Sequence, residues 1–180
     1  MKALLFVVGL MLALPLHAQK TEKATFAGGC FWCTEEAFEK VTGVVSAVSG
    51  YMGGKVKSPT YEQVSAGGTG HYEAVRVTYD PAQVSYTQLV DYYFRTVDPT
   101  DAGGQFCDRG DSYRTAIFVG GPEERRIAEA EKAQAVAALA DEVVTPVLPA
   151  APFYDAEAYH QDYYKANSLK YRFYRTRCGR

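Results

Sequence analysis

Two cysteines one helical turn apart, Cys30 and Cys33, are the residues whose type and spacing most directly indicate chemistry. A Cys-x-x-Cys pair closes a very short loop, so a disulfide between the two removes little entropy from the unfolded chain. Such pairs are typical of redox chemistry or of metal binding. The sequence contains no second Cys-x-x-Cys and no His pair at metal spacing, which favours redox chemistry over half of a zinc site.

The local sequence around Cys30 indicates a nucleophile. Residues 23–28 have strand character, Gly28-Gly29 permits a sharp turn, and residues 30–41 have helical periodicity. Backbone N–H groups at a helix start carry partial positive charge, which stabilises a thiolate. We therefore expect Cys30 to be an activated thiol and Cys33, one turn further on, to lie within reach of a disulfide with it.

A second candidate is Glu73, in a predicted strand over residues 71–79. Glu73 shares one face of that strand with Val75 and Val77, so it heads an apolar face. A carboxyl group partly removed from water keeps its proton to higher pH and can serve as a general acid. The alternative is a glutamate at a strand end that reaches solvent, and the alternation alone does not decide between the two.

The elements that must position these groups alternate along the chain without repeats or linkers. Predicted strands cover residues 23–28, 44–51, 71–79, 113–119 and 143–148, and predicted helices cover residues 30–41, 59–65, 85–97, 122–139 and 155–166. Residues 98–111 are predicted as a loop, and the tail from Asn167 as irregular. This order predicts an α/β (α+β) fold: a single two-layer sandwich domain with a mixed sheet covered by helices, long irregular loops and a C-terminal tail.

Composition limits the class of protein. A chain of 180 residues with 47% hydrophobic and 22% charged residues is long enough for one globular domain with its own core. The formal net charge of −2 gives no general attraction to nucleic acid or to anionic membranes. Aromatic residues are dense between residues 153 and 174, where they serve packing or line a site for apolar ligand groups.

The first residues have the pattern of a secretory signal. Lys2 precedes an apolar run over residues 3–16, and Ala18 supplies the small residue at a cleavage site. We therefore expect a signal peptide over residues 1–18, one mature domain over residues 19–180, and export to the periplasm. An uncleaved membrane anchor is the alternative, but the apolar run is short for a membrane span.

Export changes the interpretation of the four cysteines, because an oxidising compartment favours disulfides. Two structural bridges among Cys30, Cys33, Cys107 and Cys178 are then the plainest interpretation. Two further alternatives remain at this point: a thioredoxin-like thiol–disulfide oxidoreductase, and an exported aromatic-rich binding module held by two disulfides. The familiar Trp-Cys-x-x-Cys order of the former is absent, and Glu73 would have no task in it.

Several motifs in order make the chain resemble the peptide methionine sulfoxide reductases of the MsrA type. The motifs are Gly29-Cys30-Phe31-Trp32-Cys33, Gly50-Tyr51, Gly70-His71-Tyr72-Glu73, Tyr86-x-x-Leu89, Asp98-Pro99, Asp108 with Tyr113-Arg114, and Tyr159-His160-Gln161. The resemblance extends from Phe26 to about Cys178. It implies an enzyme that reduces methionine-S-sulfoxide, free or in oxidised proteins, without a metal or organic cofactor.

The resemblance also implies roles for individual residues. Cys30 matches the cysteine that attacks the sulfoxide sulfur, and Glu73 matches the glutamate that protonates the departing oxygen.

Around them, Tyr51 and Tyr113 match tyrosines that hydrogen-bond this oxygen, and Asp108 matches an aspartate that helps to orient the site. Phe31 and Trp32 match aromatic residues that hold the S-methyl group of the substrate.

The chain departs from the common family pattern in its thiols. Cys33 stands where glycine is frequent, and Cys107 precedes Asp108 where a residue without a thiol is frequent. We expect Cys33 to resolve the Cys30 sulfenic acid first and the Cys107/Cys178 pair to carry the disulfide outward; a permanent structural bridge between that pair is the alternative. An exported thioredoxin-like donor is implied, and we expect a monomer without a stable membrane anchor.

Overall fold

The computed structural model describes residues 20–179, so the predicted signal peptide lies outside the described residues. Within them, strands and helices alternate in the order expected from the sequence. The strands are β1 Glu22–Gly28, β2 Val44–Met52, β3 Tyr72–Tyr79, β4 Gly104–Gln105, β5 Asp108–Arg109, β6 Thr115–Val119, β7 Val147–Pro149 and β8 Tyr154–Asp155. The α-helices are α1 Phe31–Glu39, α2 Tyr61–Ser65, α3 Tyr86–Thr96, α4 Pro122–Ala138, α5 Tyr163–Ala166 and α6 Ser168–Arg177.

Six of the strands form one mixed sheet in the order β7-β6-β1-β3-β2-β8. Only the β6–β7 pair in this sheet is parallel, and the other neighbours are antiparallel. In the β2–β3 register Tyr51 lies opposite Glu73, so two residues of the predicted site are held side by side by backbone hydrogen bonds. The two-residue strands β4 and β5 form a separate hairpin within the predicted loop.

Helices α1, α3 and α4 cover one face of this sheet. Phe26 of β1 and Val75 of β3 belong to the same buried cluster as Phe38 of α1 and Leu89 of α3. The opposite face carries a smaller cluster that includes Phe118 and is partly covered by the segment after β7. The predicted two-layer α/β architecture is confirmed. In residues 20–179 no helix has the length and apolar character needed to cross a membrane.

The predicted helix over residues 155–166 is wrong. This segment holds the end of β8, a 3₁₀ turn at Ala158–His160 and the short helix α5. Its shape is set by tertiary hydrogen bonds: the Gln161 amide pairs with both the N–H and the carbonyl of Ser49. Asp162 adopts a left-handed φ of 53° while donating its N–H to the buried Glu35 carboxylate at 2.8 Å.

The irregular tail predicted from Asn167 is also wrong, because residues 168–177 form helix α6. Two attachments hold this helix on the protein. A disulfide joins Cys107 to Cys178, whose Cα atoms are 5.2 Å apart, and the Tyr171 hydroxyl donates to Glu36 at 2.6 Å. A further difference concerns Tyr113, which lies in a 3₁₀ turn before β6 rather than in the strand itself.

Candidate active site

Cys30 lies at the junction of β1 and α1. Gly29 adopts φ 79°, a left-handed conformation that turns the chain from strand to helix and that glycine adopts at little cost. Cys30 is the N-cap of α1, and its carbonyl accepts the N–H groups of Cys33 at 3.1 Å and Thr34 at 3.3 Å. The predicted placement of Cys30 at a helix start is confirmed.

Glu73 lies beneath this junction with 2% of its surface exposed, so the alternative of a solvent-reaching side chain is wrong. Its Oε2 atom accepts the N–H of Phe31, the first residue of α1, at 3.0 Å. Burial raises the pKa of Glu73 to about 8, against the opposing effect of the Phe31 N–H, and the charge of Asp108 raises it further. Glu73 therefore holds its proton at neutral pH and can donate it to a substrate.

The thiol of Cys30 is not the stabilised thiolate that its position suggested. Burial raises its pKa well above the ordinary value, and the neighbouring Cys33, Glu73 and Asp108 raise it further. The N–H of Phe31 that should stabilise negative charge at the helix start is directed instead to Glu73. Cys30 is therefore a protonated thiol at neutral pH and has to lose its proton before it can attack.

Aromatic rings form one wall of the cleft at Cys30. Phe31 is fully buried, with its ring 5.9 Å from that of Tyr51. The half-buried Trp32 is fixed by stacking on Tyr163 at 3.7 Å and by donating its indole N–H to His160 Nδ1 at 3.1 Å. The rings beside the thiol are held in place and can accept a small apolar group.

The opposite wall is polar. Tyr61 and Tyr113 line it, and burial together with the nearby charge of Glu73 raises the pKa of both hydroxyls. The Tyr174 hydroxyl is hydrogen-bonded to Asp108. These groups complete a small cleft lined by Cys30, Phe31, Trp32, Tyr61, Glu73, Asp108, Tyr113 and Tyr174.

Most of the predicted site residues therefore come together, and Tyr51 lies behind them. Its side chain is completely buried and its hydroxyl donates to Glu157 at 2.9 Å. Glu73 is close enough for its charge to raise the Tyr51 pKa, although burial is the largest cause. Contact between Tyr51 and a substrate oxygen stays a prediction.

Two cleft residues were missed by the sequence analysis. Tyr61 belongs to the short helix α2, where no pattern sets it apart from other tyrosines. Tyr174 belongs to the segment predicted as irregular, so nothing in the sequence placed it near Cys30.

The four cysteines are in two states. Cys30 and Cys33 are buried thiols that belong to the same cluster. Cys107 and Cys178 form the disulfide, in which Cys107 is exposed and Cys178 half-buried. A surface groove lined by Cys33, Phe106 and Gly179 runs from the thiol pair to the neighbours of the disulfide.

One group in the described part of the chain has metal-binding geometry: Glu35, Glu39 and Asp162. Its carboxylates already have protein partners. Glu35 accepts from Ser49 and from the N–H of Asp162, and Lys165 bridges Glu39 and Asp162 at 2.7 Å and 2.6 Å. This cluster is explained by attachment of α5 to α1.

Comparison with known proteins is consistent with this geometry. Residues 22–180 match the family model for peptide methionine sulfoxide reductase. The chain is 56% identical over 166 residues to peptide methionine sulfoxide reductase MsrA 2 of Caulobacter vibrioides, covering 92% of this chain and 84% of the relative.

Solved structures give the same result. Methionine sulfoxide reductase A of Corynebacterium diphtheriae aligns with TM-score 0.76 and 35% identity over 85% of this chain and 78% of its own. Reduced Mxr1 of Saccharomyces cerevisiae aligns with TM-score 0.79 and 30% identity over 83% of this chain and 87% of its own. Mxr1 in complex with Trx2 aligns at 22% identity and TM-score 0.58, covering 87% and 92%, a likeness of fold alone.

Proposed function

This chain belongs to the peptide methionine sulfoxide reductase family, and from that premise we propose a mechanism in which Cys30 attacks sulfur while Glu73 protonates oxygen. The protein is a thiol-dependent oxidoreductase that reduces methionine sulfoxide. We further propose that the substrate is methionine sulfoxide with the S configuration at sulfur, either as the free amino acid or within oxidised proteins. The observation that carries the mechanism is the buried carboxyl of Glu73 bonded to the first N–H of the helix that Cys30 caps.

The first step of the proposed reaction uses residues that line the cleft. The Cys30 thiolate attacks the sulfoxide sulfur, and Glu73 gives its proton to the sulfoxide oxygen as the S–O bond breaks. The released hydroxide oxygen then bonds to the Cys30 sulfur. The S–S bond formed by the attack breaks with its electron pair going to the substrate sulfur, and methionine departs, which leaves Cys30 as a sulfenic acid. Cys30 sulfur loses two electrons and the substrate sulfur gains them. Protonation matters because an oxygen leaving without its proton would be a strongly basic anion in a buried site.

The overall activity is tested by incubating the chain with each epimer of methionine sulfoxide, free and in a peptide, with dithiothreitol as reductant. We expect methionine from the S epimer and none above the no-enzyme rate from the R epimer. Equal rates for both epimers would contradict the stereochemical part of the proposal. A protein that only exchanges disulfides would form no methionine from either epimer.

Trp32 and Phe31 are proposed to hold the S-methyl group of the substrate. Trp32→Ala should raise KM for methionine sulfoxide about tenfold, because removal of a fixed apolar wall loses on the order of 1–3 kcal/mol of binding. KM and kcat are measured with dithiothreitol. Tyr164→Phe, a tyrosine bonded to Glu39 at the last residue of α1 and outside the cleft, serves as the control. Kinetics of Trp32→Ala that equal those of the control would refute the methyl pocket.

Recycling begins at Cys33, which lies one turn along α1 from Cys30 in the same buried cluster. The Cys33 thiol gives up its proton as its sulfur attacks the sulfenic sulfur of Cys30. The S–O bond breaks, the hydroxide leaves with that proton as water, and a Cys30–Cys33 disulfide forms. That disulfide passes, by exchange along the groove beside Phe106, to the pair Cys107 and Cys178 once this pair has been reduced.

Cys33→Ser should remove the first disulfide. After one equivalent of substrate without reductant, mass mapping of the parent is expected to show Cys30 joined to Cys33, whereas the variant should retain a sulfenic acid that dimedone traps. The double variant Cys107→Ser/Cys178→Ser should form the Cys30–Cys33 disulfide at the parental rate. A disulfide to Cys30 that forms at the parental rate in Cys33→Ser would exclude Cys33 as the first resolving residue.

The electron donor we propose is a thioredoxin-like dithiol protein. Two electrons enter per methionine formed, and a dithiol supplies them while becoming a disulfide itself. Cys107 is exposed and offers such a donor a disulfide at the surface. Yeast Mxr1, whose fold this chain shares, has been solved in complex with Trx2.

We also propose that the chain acts in the periplasm as a monomer after removal of residues 1–18. The charged and apolar pattern before Gln19 supports export, and the disulfide is of the kind that persists in an oxidising compartment. Expression of the full chain followed by N-terminal sequencing of periplasmic protein tests it. Retention in the cytoplasm with Met1 present would contradict export, and a dimeric mass in solution would contradict the monomer.

A further inference from the structure

The proton on the Cys30 thiol needs a destination during the first step. Burial keeps the Cys30 pKa high, so the thiol does not ionise in the resting enzyme. Glu73 cannot take this proton, because it has to arrive at the substrate already protonated. Cys33 is the other neighbouring thiol, and a negative charge on it would raise the Cys30 pKa further. The Cys30 proton therefore has to reach a base through another group.

Tyr174 of α6 is adjacent to both Cys30 and Asp108. Its hydroxyl donates a hydrogen bond to the Asp108 carboxylate, and its side chain packs against the buried cluster that contains Cys30 and lines the same cleft. Its ring stands edge-on to Trp32 with centroids 6.4 Å apart. The helix that carries it is attached through Cys178 to Cys107, the residue before Asp108, so the disulfide holds Tyr174 near Asp108.

We infer that Tyr174 is a catalytic residue that passes the Cys30 proton to Asp108. The S–H proton moves to the Tyr174 oxygen while the Tyr174 O–H proton moves to Asp108, leaving a Cys30 thiolate, a neutral Tyr174 and a protonated Asp108. No electrons are exchanged in this step. After methionine has left, the proton on Asp108 returns through solvent to Glu73. The inference rests on the proposed function, since it concerns activation of the same nucleophile.

The other titratable groups around Cys30 and Asp108 have other partners or tasks. They are Cys33 on α1, Tyr61 on α2, Glu73 on β3, Tyr113 in the 3₁₀ turn before β6 and Tyr171 on α6. The Tyr171 hydroxyl donates to Glu36, and Glu73 has to keep its proton for the substrate. Tyr174 donates to the Asp108 carboxylate and packs against the cluster that contains Cys30.

Tyr174→Phe removes the hydroxyl and keeps the ring. The rate of the first methionine formed per molecule, measured by rapid quench without reductant, should fall about 10²-fold at pH 7, the low end for loss of general acid–base assistance. The ratio of parent to variant rate should shrink as pH rises, because hydroxide then removes the Cys30 proton without the relay. This ratio is the readout, since loss of the Glu73 proton above about pH 8 slows both proteins alike.

Asp108→Asn supplies the second arm of the test. It should show a loss of similar size at pH 7, and at that pH Tyr174→Phe/Asp108→Asn should be no slower than the slower single variant, because either change already interrupts the relay. Tyr164→Phe, a tyrosine bonded to Glu39 outside the cleft, should keep the parental rate and pH profile.

Three results would overturn the relay: a parental rate for Tyr174→Phe at pH 7, a loss that is constant with pH, or an additive loss in the double variant. Failure of the proposed function is distinguishable, since a protein that is not a reductase would form no methionine in the parent at any pH. Thermal unfolding of each variant detects a general loss of structure, which would lower the rate equally at all pH values and so differs from loss of the relay.

Discussion

Cys30→Ser should lower methionine formation to the rate seen with dithiothreitol alone. A serine hydroxyl at neutral pH is a far weaker nucleophile than a thiolate and cannot accept oxygen to form a sulfenic acid. The substitution exchanges sulfur for oxygen in a small side chain at the N-cap position of α1, and serine is itself a favourable N-cap residue. We therefore expect the variant to stay folded, and methionine formation with excess dithiothreitol measures its activity.

The matched control is Cys33→Ser, which carries the same change one turn along α1. It should still form the first methionine at the parental rate, because Cys33 acts only after methionine has left. Far-UV circular dichroism of both variants should match the parent. Substantial turnover by Cys30→Ser with dithiothreitol present would mean that another group attacks the sulfoxide.

The parts of the site that the sequence predicted are those governed by local pattern. Alternation in β3 places Glu73 with Val75 and Val77, and all three are buried, although the alternation alone left the exposure of Glu73 undecided. The two glycines before Cys30 predicted the turn into α1, and Gly29 has the left-handed conformation that such a turn uses. The helix predicted over residues 85–97 is present as α3, and Ser85 forms a capping box with Gln88 at its start.

The parts that the sequence did not predict are held by contacts distant along the chain. Helix α6 is polar, with Tyr171 as its only buried residue, so no apolar stripe marks it. It is fixed by bonds from Tyr171 and Arg175 to Glu36, and by the disulfide that ends it. Tyr174 reaches the cleft only as a consequence of this docking, which residue spacing cannot reveal.

The protonation state of Cys30 is a second property that the local sequence did not predict. Position at a helix start predicted a stabilised thiolate, yet the N–H that would provide this stabilisation is bonded to Glu73. The pairing depends on β3 passing beneath α1, which is a property of the fold. Burial then dominates, and the thiol and the carboxyl both keep their protons at neutral pH.

Glu73→Gln should slow formation of the first methionine by about 10²–10⁴-fold at pH 7, the range for loss of a positioned general acid. Glutamine is close in shape and its oxygen can still accept the Phe31 N–H, so the start of α1 should be preserved. What the variant lacks is a proton to give to the sulfoxide oxygen. Rapid-quench measurement of one turnover without reductant isolates this step from recycling.

The rate of the first step should also depend on pH through the protonation of Glu73. A general acid acts only while protonated, so the parental rate should fall as pH rises through about 8, the pKa to which burial raises Glu73. Glu73→Gln should lack this decline.

Stability provides an independent check on the same pKa. The unfolded chain releases the Glu73 proton near the ordinary pKa of 4.5, while the folded protein keeps it to about 8. The parent therefore loses free energy of unfolding between these pH values, and Glu73→Gln should lose less over the same range. A variant as fast as the parent at pH 7, with the same alkaline decline, would show that the proton reaches the oxygen from another group.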